Sequence, residues 1–296
     1  MNDEIVIVGR FPPPFGGVSV YCRRRYLSLR EAGEKVSFLD FGDKTFFLNF
    51  FLKYKALYEV NTLNLFVVFL FFITGRLGKA YFIDHNASRH YSGMKKSFLI
   101  FMLKFSKGIW VVNQDLQDFY PSNFDIKIIS PFVPPPLNDE VSLLKAFPEN
   151  VISFISTGKV MLNSAWKLIP YGESDLYGVT TSISLLDKFN NLKLLVVIGL
   201  YNEEYFDSAT RKAIEKYTNE NRLLLLFGEY EIWPLLRYKP ICLRLTPTDG
   251  DSVTVREALF FGAPVLASDS IKRPESCYLY EYGKMESLES ELRKLL

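Results

Sequence analysis

Between Arg244 and Asp269 the chain reads Arg244-Leu245-Thr246-Pro247-Thr248-Asp249-Gly250-Asp251-Ser252-Val253-Thr254-Val255-Arg256-Glu257-Ala258-Leu259, followed shortly by Gly262-Ala263-Pro264-Val265-Leu266-Ala267-Ser268-Asp269. The pattern is a strand end, a polar loop, a helix start, a tight turn and a new strand. Asp251 or Ser252 is placed to cap the helix. The backbone amides of Ser252, Val253 and Thr254 then point out of its N-terminus, where partial positive charge favours a diphosphate. Asp249 lies in the loop just ahead and Glu257 in the helix's second turn. Carboxylates so separated can touch opposite ends of one nucleotide sugar, the hexose near Asp249 and the ribose near Glu257. Asp249-Gly250-Asp251 also has the form of a metal-holding pair of carboxylates. Because the helix N-terminus already supplies positive charge to phosphate, no metal and no other cofactor is expected. The plainer reading of Glu257 is a solvated helix residue pairing with Arg256 or Lys272.

A second candidate lies near the start, where Gly9-Arg10-Phe11-Pro12-Pro13-Pro14-Phe15-Gly16-Gly17 joins a strand to a helix. Glycines there let the backbone approach a ligand, although the Gly-x-Gly-x-x-Gly spacing of dinucleotide sites is absent. An ordinary strand-to-helix turn explains the same residues equally well.

The elements that would carry these loops alternate between short apolar runs and longer amphipathic ones, which predicts parallel α/β units. In the first half, strands are expected at 4–8, 36–39, 65–73, 80–83, 109–112 and 125–129, with helices at 18–32 and 92–105. The run Pro131-Phe132-Val133-Pro134-Pro135-Pro136 is stiff and cannot continue a sheet, so it reads as a linker. A second series follows, with strands at 151–156, 192–198, 223–226, 241–245 and 264–267. Its helices are expected near 176–187, 206–217, 231–236 and 253–261, with a charged helix at 285–295 closing the chain. The expected organisation is an N-terminal acceptor-side domain over residues 1–135 and a nucleotide-sugar domain over 136–276. The tail, 277–296, would be free to pack back toward the first domain.

Composition narrows the classes. At 296 residues, nearly half of them apolar, the chain can bury two cores. Through Glu140 there are 17 Lys and Arg against 13 Asp and Glu, and beyond it 18 against 20. That asymmetry is too small for a nucleic-acid protein. Three widely spaced cysteines form neither a disulfide framework nor a zinc spacing, which suits a reducing compartment. No basic segment followed by an apolar core opens the sequence, so no signal peptide is expected. The apolar run Leu65–Ile73 is too short to span a bilayer. Residues 46–55 mix aromatics with lysines and fit either a buried helix face or an interfacial helix on anionic lipid, the buried reading being favoured. Arg23-Arg24-Arg25 would face phosphate lipids or water.

The block from Arg244 to Asp269 resembles the retaining family 4 glycosyltransferases, the group 1 glycosyl transferases of GT-B fold. Their signature is two glutamates eight positions apart, then an alanine and a Gly-x-Pro-Val strand entry. Here Asp249 replaces the first glutamate, Glu257 matches the second, and Gly262-Ala263-Pro264-Val265 matches the tail. Arg244, Thr246, Asp249, Gly250, Asp251 and Ser252 also supply an Arg-x-Thr-x-x-Asp-Gly-Asp-Ser run like that of bacterial surface-polysaccharide enzymes, with Arg273-Pro274-Glu275 after the strand in agreement.

The resemblance implies two Rossmann-like α/β/α domains facing an interdomain cleft, and it assigns roles. Gly16 and Gly17 would form the first domain's glycine loop. Gly158 and Lys159 would follow the second domain's first strand, with the lysine on the diphosphate, although Lys159 also reads as a plain exposed lysine. Glu229 and Tyr230 would follow the strand whose next backbone holds the base. His85 would point toward the sugar; without the resemblance it reads as a satisfied histidine at a strand end. Where the family carries a second lysine, this chain has Tyr177, and Arg244 or Lys167 would have to compensate.

The function so implied is transfer, with retention, of a sugar from a nucleoside-diphosphate donor, UDP-sugar favoured, to a hydroxyl of a saccharide acceptor. Asp249, Glu257, Lys159 and His85 form the expected catalytic set. Gly16, Gly17, Gly158, Arg244, Glu229, Tyr230, Ser252, Val253, Thr254 and Glu257 would hold the donor. The acceptor would be linked to a polyprenyl diphosphate in O-antigen or capsule assembly, and the protein cytoplasmic and peripheral at the inner membrane face. The alternatives are a non-catalytic GT-B-like binding subunit of an assembly complex and a nucleotide-sugar isomerase.

Overall fold

The computed structural model describes residues 4–13, 16–172, 174–200, 205–249 and 251–296. Pro14 and Phe15 of the first glycine loop, and Gly250 between the two aspartates, lie outside the described residues. The chain divides into two compact units, Met1–Val133 and Pro134–Leu296, the division falling inside the proline run.

The first unit runs β1 (Ile5–Gly9), α1 (Gly17–Glu31), β2 (Val36–Asp40), α2 (Phe46–Leu52), β3 (Leu57–Val60), α3 (Leu65–Ile73), β4 (Ala80–Asp84), α4 (Gly93–Leu103), β5 (Gly108–Val111) and β6 (Ile126–Ile128). Its six strands pair in parallel in the order β2-β1-β3-β4-β5-β6. Side chains alternate across β1, so Val6 and Val8 join the core under α2, α3 and α4, while Ile7 packs with Tyr21 and Cys22 of α1 on the other face. Fully buried aromatics such as Phe50, Phe71 and Phe82 dominate the larger core, each contributing on the order of 2–3 kcal/mol.

The second unit runs α5 (Glu140–Leu144), α6 (Glu149–Ile155), β7 (Lys159–Lys167), β8 (Pro170–Tyr171), β9 (Ser174–Asp175), α7 (Val179–Lys188), β10 (Leu192–Leu200), α8 (Ser208–Asn219), β11 (Leu223–Phe227), α9 (Trp233–Leu236), β12 (Ile241–Arg244), α10 (Val253–Phe260), β13 (Val265–Ser268), β14 (Tyr278–Tyr280) and α11 (Met285–Arg293). Six parallel strands form its main sheet, in the order β11-β10-β7-β12-β13-β14. Strand order reverses between β7 and β12, and in the first unit between β1 and β3. In open parallel sheets, ligands bind at the carboxyl ends of the strands at such reversals.

Two expectations are corrected. Leu65–Ile73 is a helix, not a strand: nine apolar residues suit either element, and Asn64 starts the helix by accepting the Phe66 N–H at 2.9 Å. The strand in that region is β3, which the sequence hides behind Glu59. This carboxylate is buried because Arg25 binds it through two hydrogen bonds of 3.0 and 2.7 Å. The run expected as the second unit's first strand, 151–156, is α6, and the strand is β7. Polar Asn163 disguises β7; it is buried, donates to Ser182 Oγ at 2.7 Å and reaches the carbonyls of Tyr177 and Gly178.

The last helix, α11, buries Leu288 and Leu292 in the second unit's own core, although the sequence left it free to reach toward the first half. All three cysteines are free thiols, Cys22 and Cys242 buried. Among the described residues no helix is long and apolar enough to cross a membrane.

Candidate functional site

The carboxyl end of β12 delivers Arg244 to the reversal point of the second sheet, and a built loop follows. Thr246 is fully buried; its hydroxyl donates to the Thr248 carbonyl at 2.8 Å, and its own carbonyl accepts from Ser268 Oγ at 2.5 Å. The loop is thereby tied to the end of β13. Ser252 caps α10, accepting from the Val255 N–H at 3.4 Å. The amides of Val253 and Thr254 open that helix.

Within this frame Asp249 holds two guanidinium groups on one oxygen, Arg244 Nε at 2.7 Å and Arg273 at 3.1 Å. Burial alone would raise the Asp249 pKa, but the charges of Arg244 and Arg273 outweigh it and hold the carboxyl below its usual range. Arg273 also reaches the Thr246 carbonyl at 3.3 Å. Asp251 takes both arms of Arg256, at 2.8 and 2.7 Å. Both aspartates of the acidic triplet are therefore engaged by arginine, and a divalent cation there would have to displace guanidinium groups. Glu257 is buried, which excludes the solvated-surface reading.

Arg244 lies over the Tyr177 ring, 5.2 Å from its centroid, so a cation stands beside Tyr177. Asp175 braces the same corner by accepting from the amides of Tyr177, Val179 and Thr180 at 2.9 to 3.0 Å. Gly178 sits at φ +66°, and a Cβ there would meet Leu245 at 2.7 Å, so only glycine lets α7 start against this loop.

Gly158 and Lys159 are not with this group. Lys159 opens β7 rather than following it, is exposed, and bonds the Leu296 carbonyl. The register Leu243↔Asn163 sets Lys159 about five residues, or ~16 Å, before the level of Arg244 along the sheet. The lysine that ends β7 at the reversal point is Lys167. Glu229 and Tyr230 follow β11, with Glu229 exposed and Tyr230 stacked on Phe147 at 4.9 Å.

In the first unit the reversal point gathers the glycine loop, Asn61 and His85. Gly16 precedes α1, and its N–H donates to Ser19 Oγ at 2.9 Å; Gly17 is the first residue of the helix. His85 follows β4, with Nε2 2.9 Å from Asn61 Oδ1 and its ring edge-on to Tyr21 at 4.8 Å. Burial pushes its pKa down to about 4, so the ring is neutral near pH 7. Asp84 fixes the turn that carries His85: it accepts from the amides of Ala87 and Ser88 at 2.8 and 3.2 Å and from the Tyr120 hydroxyl at 2.8 Å.

Sequence reasoning did not place Arg273, Asp175 or Asn61 in a site. Arg273 carried a signal only through the Arg-Pro-Glu that follows β13. Asp175 stands two residues ahead of Tyr177.

No protein-family model and no curated protein matches this chain. Solved structures do. HepE of Anabaena in complex with UDP-glucose aligns with a TM-score of 0.67 at 14% identity, over 99% of this chain and 89% of that one. Sucrose-phosphate synthase from Thermosynechococcus elongatus gives 0.66 at 13%, over 99% and 90%. A UDP-forming α,α-trehalose-phosphate synthase from Burkholderia xenovorans gives 0.64 at 11%, over 99% and 91%. At such identities the likeness shows a shared fold.

Proposed function

From the premise that the chain has the GT-B fold, we propose that it is a retaining glycosyltransferase, of family 4 type, moving a sugar from a nucleoside-diphosphate donor to a hydroxyl of a saccharide acceptor. The observation that carries this reading is the cluster at the end of β12: Arg244 and Arg273 share Asp249 beside the N-terminus of α10, and Glu257 is buried in that helix. Departure of a nucleoside diphosphate leaves a sugar with oxocarbenium character and a doubly negative leaving group. Preorganised positive charge aimed at that group lowers the barrier. Arg244, Arg273, Lys167 and the amides of Val253 and Thr254 supply it. Asp249 holds the two guanidinium groups in place and orients donor hydroxyls, and Glu257 takes the ribose hydroxyls. Glu229 and Tyr230 lie beside the base. His85, neutral, offers a hydrogen bond to a sugar hydroxyl rather than a charge. Lys159 drops out of the catalytic set.

UDP is the favoured carrier, because HepE was solved with UDP-glucose and the trehalose-phosphate synthase is UDP-forming. The Arg-x-Thr-x-x-Asp-Gly-Asp-Ser run supports a polyprenyl-diphosphate-linked acceptor in surface-polysaccharide assembly, with the enzyme cytoplasmic and peripheral at the inner membrane face. The reaction is metal-independent in this reading, since Asp249 and Asp251 are already neutralised by arginine. The loss of a lysine at Tyr177 would favour a non-catalytic subunit; Arg244 over that ring restores the charge and favours the enzyme.

The test is calorimetry with UDP, GDP, ADP and CMP, with and without a chelator, on the unmodified chain and Glu257→Ala. Micromolar binding of one nucleotide, insensitive to chelator and weakened by the substitution, is expected, and transfer from its sugars then follows. Absence of binding by all four would overturn the enzyme reading.

A further inference from the structure

We propose that the outward face of α2, α3 and α4 is a docking surface for an anionic lipid bilayer. The inference gives a surface to the peripheral location proposed above and does not depend on the donor site.

These three helices cover one face of the first sheet, and each has a buried apolar side, as a surface helix should. The unusual feature is that the opposite side is apolar too. In α2, Phe46 and Phe50 are buried while Phe47, Leu48, Phe51 and Leu52 are exposed, Leu52 at 72%. In α3, Val67, Val68, Leu70 and Phe71 are buried while Phe66, Phe69 and Ile73 are exposed. In α4, Leu99, Met102 and Leu103 are buried while Phe98, Phe101 and Met94, at 90%, are exposed. The outer side of a helix that meets only water is polar, yet all nine residues of α3 are apolar.

The exposed rings form one surface. Phe47 of α2 lies 6.0 Å from Phe66 of α3, and Phe69 of α3 lies 6.4 Å from Phe98 of α4. Half-buried Phe72 contacts Phe101 at 5.9 Å and Phe105 at 5.8 Å. A contiguous apolar face of this kind marks an interaction site.

Charge selects the occupant. From Lys44 to Lys107 the only acidic residues are Glu59 and Asp84, and both are buried. Lys44 and Lys55 flank α2, Lys79 lies over the ring of Tyr54 just after α2, Lys95 is on α4 and Lys104 follows it, and all five are exposed. Aromatic and aliphatic groups that enter the headgroup layer, flanked by lysines that meet lipid phosphates, are what an anionic interface binds. A two-fold dimer through the same face would set these lysines against each other. The arginine run on α1 does not share this role: Arg24 is buried, Arg25 is bound to Glu59, and α1 packs on the other face of the sheet.

The test is flotation of the full chain with phosphatidylcholine vesicles, with and without phosphatidylglycerol, alongside calorimetry with UDP. Binding is expected only with the anionic lipid and is weakened by salt. Both Phe69→Ser/Phe98→Ser and the surface-charge variant Lys95→Glu/Lys104→Glu should lower vesicle affinity roughly tenfold or more while UDP affinity stays unchanged. A Phe69→Trp variant should gain blue-shifted emission on mixing with the anionic vesicles. No binding to anionic vesicles, or binding that neither double variant weakens, overturns the proposal even if UDP still binds. So does a concentration-dependent dimer in sedimentation that the phenylalanine variant abolishes. Vesicle binding without nucleotide binding leaves this inference standing and sinks the enzyme reading instead.

Discussion

Arg244 sits over the ring of Tyr177, 5.2 Å from its centroid, while its Nε holds Asp249 at 2.7 Å. A cation delivered by β12 thus stands at Tyr177, where its guanidinium lies over the ring and is paired with Asp249. Arginine and lysine are not equivalent in such a place, since only the planar fork can stack and donate together. Arg244→Lys should therefore weaken UDP binding about as much as Arg244→Ala does, by tenfold or more. Removal of the cation also leaves Asp249 with one partner, so Arg244→Ala should lower stability by about 3 kcal/mol. Calorimetry and denaturant unfolding of both variants check this. Full nucleotide affinity in Arg244→Lys would exclude the guanidinium's placement over Tyr177 as the reason for arginine.

Asp249 separates two roles by its kinetics. If it orients donor hydroxyls in the transition state, Asp249→Asn should cut turnover by about a hundredfold or more while UDP affinity falls much less. If it only secures Arg244 and Arg273, affinity and turnover should fall together. The expected outcome is the first, measured as transfer rate and UDP affinity on the same preparation.

His85 makes stability depend on pH. Its folded pKa is about 4 against an ordinary 6.5, so between those values the unfolded chain binds a proton that the folded chain does not. Stability should fall as pH drops from 6.5 to 4 and then level off for this group, by at most about 3 kcal/mol. In His85→Gln that portion of the pH dependence should vanish. Unfolding curves at intervals across the window measure it, and identical slopes in both proteins would mean that His85 is not held neutral.

What the sequence disclosed and what it concealed divide along physical lines. The β12–α10 loop was legible because capping, turn and charge signals all fall within a few consecutive residues, and the two-domain α/β alternation was legible from apolar runs. Contacts made across the sheet were not. Arg273 reaches Asp249 from 24 positions away, and nothing local in its surroundings points there. Glu59 interrupts the apolar run of β3, and its partner, Arg25, is on α1. For α3 and α6 the apolar run was seen and the element mistaken, since a short run without polar punctuation has no period to read.

The displacement of Lys159 has the sharpest consequence for the donor site. Taking 151–156 as the first strand put Gly158-Lys159 at a carboxyl end, whereas β7 begins at Lys159 and ends at Lys167. Parallel strands carry their ligand loops at one end only, so the two lysines should differ sharply. Lys159→Ala should leave UDP affinity within about twofold, with only a small loss of stability from its exposed bond to the terminal carbonyl. Lys167→Ala should weaken UDP binding about fivefold or more, and the loss should shrink with added salt, because an exposed cation acts on phosphate through screened charge. Uridine, which has no phosphate, should bind Lys167→Ala and the unmodified chain alike. If Lys159→Ala lost UDP and Lys167→Ala kept it, the assignment of the β7 carboxyl end to the diphosphate would be reversed.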